Sequence, residues 1–155
     1  MASISYDDVF DKFIGSVTDY ELTSMDTSDA YTLMAEHLHN AVSEPYVRRL
    51  FSSLEMDDAI QTMKFELKLS VDAGADVDFI TLALAKWMVY EWLHNQVRSK
   101  TNTMQLLAGK EQKFYSQSNH IAELRALQDD AYKEARNYIM DRGFIDNTYL
   151  RGGAQ

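Results

Sequence analysis

Apolar residues recur at steps of three and four positions along much of the chain, which is the spacing of one face of an α-helix. Over residues 5–15 this spacing predicts a first helix, whose apolar stripe consists of Val9, Phe10, Phe13 and Ile14. A second helix, capped by Asp26 or Thr27, is predicted to end at Ser43. It cannot extend much further, because Pro45 keeps the residue before it out of helical geometry.

The longest apolar run covers residues 79–93, where only three residues are polar. These three point in different directions around a helix and leave no wide polar face, so the run predicts a central helix surrounded by protein. Asp76 or Asp78 is its predicted N-terminal cap, and both tryptophans, Trp87 and Trp92, lie within it. The run is too short, and too charged, to be expected to span a membrane.

A polar linker is predicted at residues 98–103, followed by a long amphipathic helix near the C-terminus. Ser116 or Ser118 is the predicted start of this helix, and Gly143 is its predicted end, since glycine is the commonest residue just after a helix. The apolar stripe of the helix consists of Ile121, Leu124, Leu127, Ala131, Ala135 and Tyr138.

Residues 57–70 allow two interpretations. Asp57 could cap a helix that has Ile60, Met63, Lys64 and Leu67 on one side. The same segment also alternates, as a strand would, with Phe65, Leu67, Leu69 and Val71 facing one way. A helix is favoured, because a strand needs a partner and residues 50–56 offer only a weak one.

These elements together predict an all-α fold. It would be a small helical bundle with a buried central helix, a long C-terminal helix and a C-terminal extension. The helical bundle domain is predicted to cover residues 1–143, and residues 144–155 to form a C-terminal docking arm.

Composition agrees with a single globular domain of 155 residues, 46% hydrophobic and 25% charged. One proline and six glycines favour long helices over a many-turned β fold. The absence of cysteine excludes a disulfide scaffold, a thiolate metal site and a cysteine nucleophile. A net charge of −9 with no cluster of Lys and Arg predicts no sequence-specific nucleic-acid binding, and Arg48 and Arg49 form the densest basic pair. No signal peptide is evident in the first residues.

No catalytic, cofactor or metal site is predicted. His37 and His39 are two positions apart, which is the wrong spacing for one helical face, and no metal-binding or nucleotide-binding motif accompanies them. Asp72, Asp76 and Asp78 lie around Gly74, but this glycine comes too early in the segment for a calcium-binding loop, and no glutamate closes such a loop. Helix capping is therefore the preferred role of Asp76 and Asp78.

The predicted docking arm carries apolar side chains although it follows the helix-ending glycine. They are Phe144, Ile145, Tyr149 and Leu150. They would lie off the core face of the preceding helix, so the arm either folds back on its own domain or binds another subunit. We predict these four residues as the partner-binding site.

Two segments carry a resemblance to a known family. They are KFYSQSNHIAELRAL at residues 113–127 and DRGFIDNTY at residues 141–149. With KWMVYEWL at residues 86–93 and AGKEQKFYS at residues 108–116, they resemble the head–tail connector proteins, also called adaptor or neck proteins, of tailed phages and prophages of Gram-positive bacteria. The resemblance covers roughly residues 5–150. Ser118 departs from the pattern, which has a small residue such as alanine there.

The resemblance implies a helical-bundle subunit of a ring, a dodecamer in the virion, beneath the portal protein. It implies a structural role in closing the packaged head and receiving the tail, and a terminal arm that engages the portal, other neck or tail-completion proteins, or adjacent subunits. It implies no cofactor, no enzyme activity and no membrane partner, and places the protein in the virion neck after synthesis in the host cytoplasm. The alternatives are a head- or tail-completion protein, and an acidic helical inhibitor or DNA mimic that binds a host protein.

Overall fold

The computed structural model describes residues 1–17, 24–106 and 111–145, and the side chains of residues 1–17, 24–100 and 118–142. Five helices and three strands occur within these ranges. In chain order they are β1 Ala2–Ser5, α1 Tyr6–Ile14, α2 Thr27–Ser43, α3 Pro45–Arg48, β2 Phe51–Asp57, β3 Thr62–Leu67, α4 Ala73–Leu106 and α5 Glu111–Ile145.

The first two predicted helices are confirmed nearly to the residue. Helix α1 begins at a capping box in which the Ser5 hydroxyl accepts from the Asp8 N–H and the Asp8 carboxylate accepts from the Ser5 N–H, and Gly15 ends the helix. Helix α2 ends before Glu44, whose backbone is extended ahead of Pro45, and the single turn α3 follows.

The prediction of an all-α fold is wrong, because the three strands form an antiparallel sheet in the order β1-β3-β2. The helix predicted over residues 57–70 is therefore also wrong, and its place is taken by the end of β2, a turn and β3. The alternation of apolar and polar residues in this segment gives a strand, because one face of the sheet is apolar and buried against the helices. The buried members of that face are Ile4, Phe51, Met63, Phe65 and Leu67.

The turn between β2 and β3 contains no glycine. Gln61 takes the left-handed conformation there, with φ of 55°, which is uncommon for a residue with a side chain. The Asp57 carboxylate accepts from the backbone N–H groups of Ala59 and Ile60 at 3.0 and 3.3 Å, and these bonds replace the ladder bonds that the turn lacks.

Helix α4 is longer than its apolar run at both ends. Asp72 accepts from the N–H of Ala75 at 2.8 Å and so occupies the capping role that was predicted for Asp76 or Asp78. At the other end the helix continues to Leu106, and the linker predicted at residues 98–103 is wrong because it belongs to this helix. Its 34 residues extend for about 50 Å.

Helix α5 packs along α4 and also differs from its predicted bounds. It begins at Glu111, ahead of Ser116 and Ser118, and passes through Gly143 to Ile145. Glycine inside a helix is tolerated at a cost of about 1 kcal/mol relative to alanine, so Gly143 does not end this helix. The predicted boundary between bundle and arm thus falls within the last turn of α5.

The central position predicted for Trp87 is confirmed, because its side chain is fully buried. The Trp87 ring is stacked on Tyr46 at 6.1 Å between ring centroids and meets the rings of Tyr90 and Tyr132 edge-on. Trp92 is only partly buried at the edge of the same core. One aromatic cluster thus joins α3, α4 and α5.

Candidate functional site

The end of α5 is attached to the body of the protein by one ion pair. Arg142 donates to a carboxylate oxygen of Asp76 at 2.7 Å and to the backbone oxygen of Leu69 at 3.1 Å. The same carboxylate accepts from the Ser70 hydroxyl at 2.5 Å and from the Val71 N–H at 3.1 Å. Asp76 therefore joins the loop after β3, the first turns of α4 and the last turns of α5.

The ionised form of Asp76 is the one that this site stabilises. Burial on its own would raise the pKa of Asp76, whose exposed fraction is 4%. The hydrogen bonds from Ser70, from the Val71 N–H and from Arg142 outweigh burial and hold its pKa below the usual value. An ion pair with these extra hydrogen bonds fixes the orientation of both helices at this point.

Aromatic rings support the arginine from beneath, and apolar side chains are exposed beside it. The Arg142 guanidinium lies 4.2 Å from the ring centroid of Phe79, which is stacked on Tyr138. Leu69 and Val71 have exposed fractions of 54% and 64%. Arg142, in the last turn of α5, thus lies next to apolar side chains that the described residues leave exposed.

The four residues predicted as the docking site are not brought together by the described part of the chain. Phe144 and Ile145 form the final turn of α5, but only their backbone is described. Tyr149 and Leu150 lie outside the described residues. Sequence reasoning missed the ion pair between Asp76 and Arg142. The only signal for it is that each residue stands near a helix end, Asp76 in the first turn of α4 and Arg142 in the last turn of α5, and no local pattern shows that they are partners.

A polar cleft of about 470 Å³ opens between the end of α2 and the middle of α4. Glu36 and Glu44 line one side, and Glu91, His94 and Arg98 line the other. Burial and the neighbouring carboxylate of Glu91 raise the pKa of Glu44 from 4.5 to about 7. The two carboxyl groups are hydrogen-bonded, so at neutral pH Glu44 carries its proton for much of the time.

Replacing Glu91 with glutamine is expected to flatten the pH dependence of stability. Since the folded-state pKa of Glu44 is raised, the native state holds its proton more tightly, and this contribution is complete below pH 4.5 and is lost as pH rises through about 7. Glutamine removes the opposing charge and can still donate a hydrogen bond. In thermal unfolding between pH 5 and 8, the melting temperature of Glu91→Gln should therefore rise relative to that of the wild type as pH increases.

The matched control for this prediction is Glu123→Gln, on the exposed face of α5. The buried His37, whose pKa is lowered by burial, is present in every variant, so its contribution cancels and the difference between curves isolates that of Glu44. Parallel curves for Glu91→Gln and the wild type would contradict the coupling of Glu44 to Glu91.

The histidines lie apart from one another. His37 is buried against Phe13, His39 contacts Asp58 at 2.9 Å, and His94 contacts Gln128 at 3.0 Å. Among the side chains of residues 1–17, 24–100 and 118–142, no group of three or more His, Asp or Glu could hold a metal ion. The described helices also include none that is long and apolar enough to cross a membrane.

A tyrosine, a carboxylate and an imidazole meet at the turn between β2 and β3. The Tyr6 hydroxyl donates to Asp58 at 2.6 Å, and His39 contacts the same oxygen. Burial and the Asp58 carboxylate raise the pKa of Tyr6, so its hydroxyl stays protonated and acts as a donor. This group joins α1, α2 and the hairpin.

Arg49, which follows Arg48 in the sequence, belongs to a cationic cluster around Tyr46. The guanidinium carbons of Arg49 and Arg136 lie 4.9 and 5.8 Å from the centroid of the Tyr46 ring. Arg49 also donates to the sulfur of Met140 at 3.4 Å. Among the described side chains, no carboxylate lies within 4.0 Å of either guanidinium group. We call Arg49 and Arg136 the arginine pair.

The chain was compared with family models, with curated proteins and with solved structures. No family model matches it, and no curated protein and no solved structure is significantly similar to it.

Proposed function

We propose that this protein is a structural subunit of the neck of a tailed phage, and that it acts by contact with other subunits. The observation that carries the proposal is the Asp76–Arg142 ion pair, which fixes the end of α5 to the body. Residues 146–155 follow α5 in the sequence, and Leu69 and Val71 are exposed close to the ion pair. A segment with apolar side chains that starts from a rigid base is suited to binding a neighbouring molecule.

The shape of the α4–α5 pair also favours a role in assembly. Each helix extends for about 50 Å, and the described sheet, α1 and α2 pack against only part of that length. Long paired helices offer contact surfaces far from the core, which a ring subunit needs on two sides. Most of the sequence that carries the resemblance to connector proteins lies in these same two helices, and the sheet is a feature that the resemblance did not imply.

The location of the protein in purified virions tests the proposal directly. Cryo-electron microscopy is expected to place this chain in a ring at the neck, in contact with the portal protein or a neighbouring completion protein. Its absence from the neck would contradict the proposal. Salt-sensitive capture of a host nucleic-acid enzyme, without incorporation into particles, would instead favour the acidic inhibitor or DNA mimic.

The role of the terminal segment is tested by the double variant Tyr149→Ala/Leu150→Ala. Incorporation into particles is expected to fall about tenfold or more, because two large apolar side chains lose burial worth more than 1.4 kcal/mol. The melting temperature of the isolated protein should stay the same. Quantitative immunoblotting of purified particles measures the change.

The control for this variant is Asn147→Ala/Thr148→Ala, which alters the same segment without removing a large apolar side chain. Normal incorporation of Tyr149→Ala/Leu150→Ala would show that the segment is not the docking element. A lowered melting temperature would show that these side chains pack on their own domain.

A further inference from the structure

Basic side chains collect at one end of the three-stranded sheet. Arg48 and Arg49 come just before β2, and Lys68 comes just after β3, where its N–H donates to Leu50 at 2.9 Å. Helix α5 adds Arg136, which shares the Tyr46 ring with Arg49. Arg142 lies at the same end but is already paired with Asp76.

Acidic side chains collect at the opposite end of the sheet. Asp57 is the last residue of β2 and Asp58 the first residue of the turn after it, and Asp7 and Asp8 are in the first turn of α1, directly after β1. All four are exposed. The strand register brings these four carboxylates together. Thr62 of β3 lies opposite Asp57 on one side and opposite Ser5, which precedes Asp7 and Asp8, on the other.

The length of the strands separates these two groups. Six residues of β3 correspond to about 20 Å, so the acidic group and the basic group cannot neutralise each other within one molecule. The exposed carboxylates take part in local hydrogen bonds, from Tyr31 to Asp7 and from Tyr6 to Asp58. A carboxylate has about four acceptor positions, so each can accept further bonds from a guanidinium group.

The arginine pair differs from the cations that have acidic partners. Lys86 is paired with Glu134 and Arg142 with Asp76, whereas Arg49 and Arg136 are held by the face of an aromatic ring. A ring holds a guanidinium group in place without neutralising its charge. Two such groups on a fixed ring can bind carboxylates with little loss of side-chain entropy.

We propose that copies of this chain associate head to tail, with the arginine pair of one copy binding the acidic group Asp7, Asp8, Asp57 and Asp58 of the next. The inference rests on the proposed ring-forming function and names its contact surfaces. A second copy is the partner that the charges favour, because every copy carries both groups at opposite ends. Unlike surfaces that meet in this way give a ring when the rotation closes. The net charge of −9 on each copy opposes approach, but at physiological salt this repulsion is screened beyond about 8 Å.

Disulfide trapping in the full-length protein tests this contact, because the chain has no cysteine of its own. Ala59→Cys places a thiol beside the acidic group, and Asn137→Cys places one beside Arg136. Mixing the two variants, one of them carrying a size tag, and oxidising them is expected to give mainly the mixed dimer. Ser3→Cys, on the exposed face of the sheet, is the control thiol.

The contribution of the arginine pair is then tested by Arg49→Glu/Arg136→Glu in the Asn137→Cys chain. The mixed dimer is expected to fall about tenfold, because like charges would face each other across the contact. Arg125→Glu/Lys133→Glu makes the same change in net charge on an exposed part of α5 and should leave the yield nearly unchanged. Circular dichroism of each variant verifies that it is folded.

Three results would overturn the inference. They are a mixed dimer no more abundant than the product with Ser3→Cys, equal formation of Asn137→Cys homodimers, and equal loss in the two charge-reversed variants. Particle incorporation distinguishes this failure from failure of the proposed function. If the protein is found in the neck and Arg49→Glu/Arg136→Glu does not change its incorporation, only the proposed contact is contradicted. If the mixed dimer forms but the protein is not incorporated into particles, only the neck assignment is contradicted.

Discussion

Replacing Trp87 with alanine is expected to lower the free energy of unfolding by about 3–5 kcal/mol, because the side chain is fully buried and its removal leaves a cavity between three helices. For a chain of this length the melting temperature should fall by about 6–20 °C. The loss is large because the rings of Tyr46, Tyr90 and Tyr132 all rest on the indole. Thermal unfolding followed by circular dichroism measures it.

Two further variants show whether the cavity causes this loss. Leu82→Ala lies on the same helix at an exposed position, so its effect should stay below about 1 kcal/mol. Trp87→Phe should cost less than Trp87→Ala, because the buried indole N–H has no acceptor among the described residues and its removal breaks no hydrogen bond there. A melting temperature of Trp87→Ala equal to that of the wild type would show that this cluster does not carry the core.

The second large effect is expected from Arg142→Met, which keeps much of the apolar stem but removes the charge. Asp76 would then remain buried and ionised without its cation, and breaking a buried pair in this way costs about 3–5 kcal/mol. Chemical denaturation at pH 7 measures the loss. Arg136→Met, elsewhere on the same helix, is the matched control and should change stability little.

The pH dependence of this variant identifies the cause. Because the folded-state pKa of Asp76 is lowered, its contribution is complete above the ordinary value of 3.8 and is lost as pH falls below it. The difference between the wild type and Arg142→Met should therefore shrink in acid, as Asp76 takes up a proton. A difference that stays constant down to pH 3 would mean that the arginine acts through its contacts with Phe79 and Leu69.

The helices of this fold could be predicted where the apolar stripe and the end signals agree. Ser5, Asp8 and Gly15 mark both ends of α1, and Pro45 marks the end of α2. Helices α4 and α5 exceeded their predicted bounds because packing against each other stabilises helical turns that have no capping signal of their own. The helices continue through the polar residues 98–103 and through Gly143, although neither feature favours a helix on its own.

The sheet was missed for three local reasons. Four residues of β1 are too few to display an alternating pattern, and the turn at Gln61 lacks the glycine or asparagine that usually marks a hairpin. The alternation of β3 was visible, but it was weighed against a helical reading of the same residues. It also ended earlier than the sequence indicated, since Leu69 and Val71 are exposed and lie beyond the strand.

The candidate site was predictable only in part, because its main contact joins residues that are far apart in sequence. The apolar side chains proposed for docking are visible in the sequence, but the residues that hold α5 in place come from the loop after β3 and from α4. Arg49 was visible as half of a basic pair. Its partner Arg136 becomes apparent only when α3 and α5 are brought against the same tyrosine ring.

The pairing of β1 with β3 determines when the sheet can form during synthesis of the chain. Ile4 lies opposite Met63, and about 60 residues separate the two strands along the chain. The ribosome makes β1 before its partner, so that strand has no edge to join until β3 has emerged. Until then Ile4 lacks its native cover, and a chaperone or a neighbouring nascent chain could reach it during that interval.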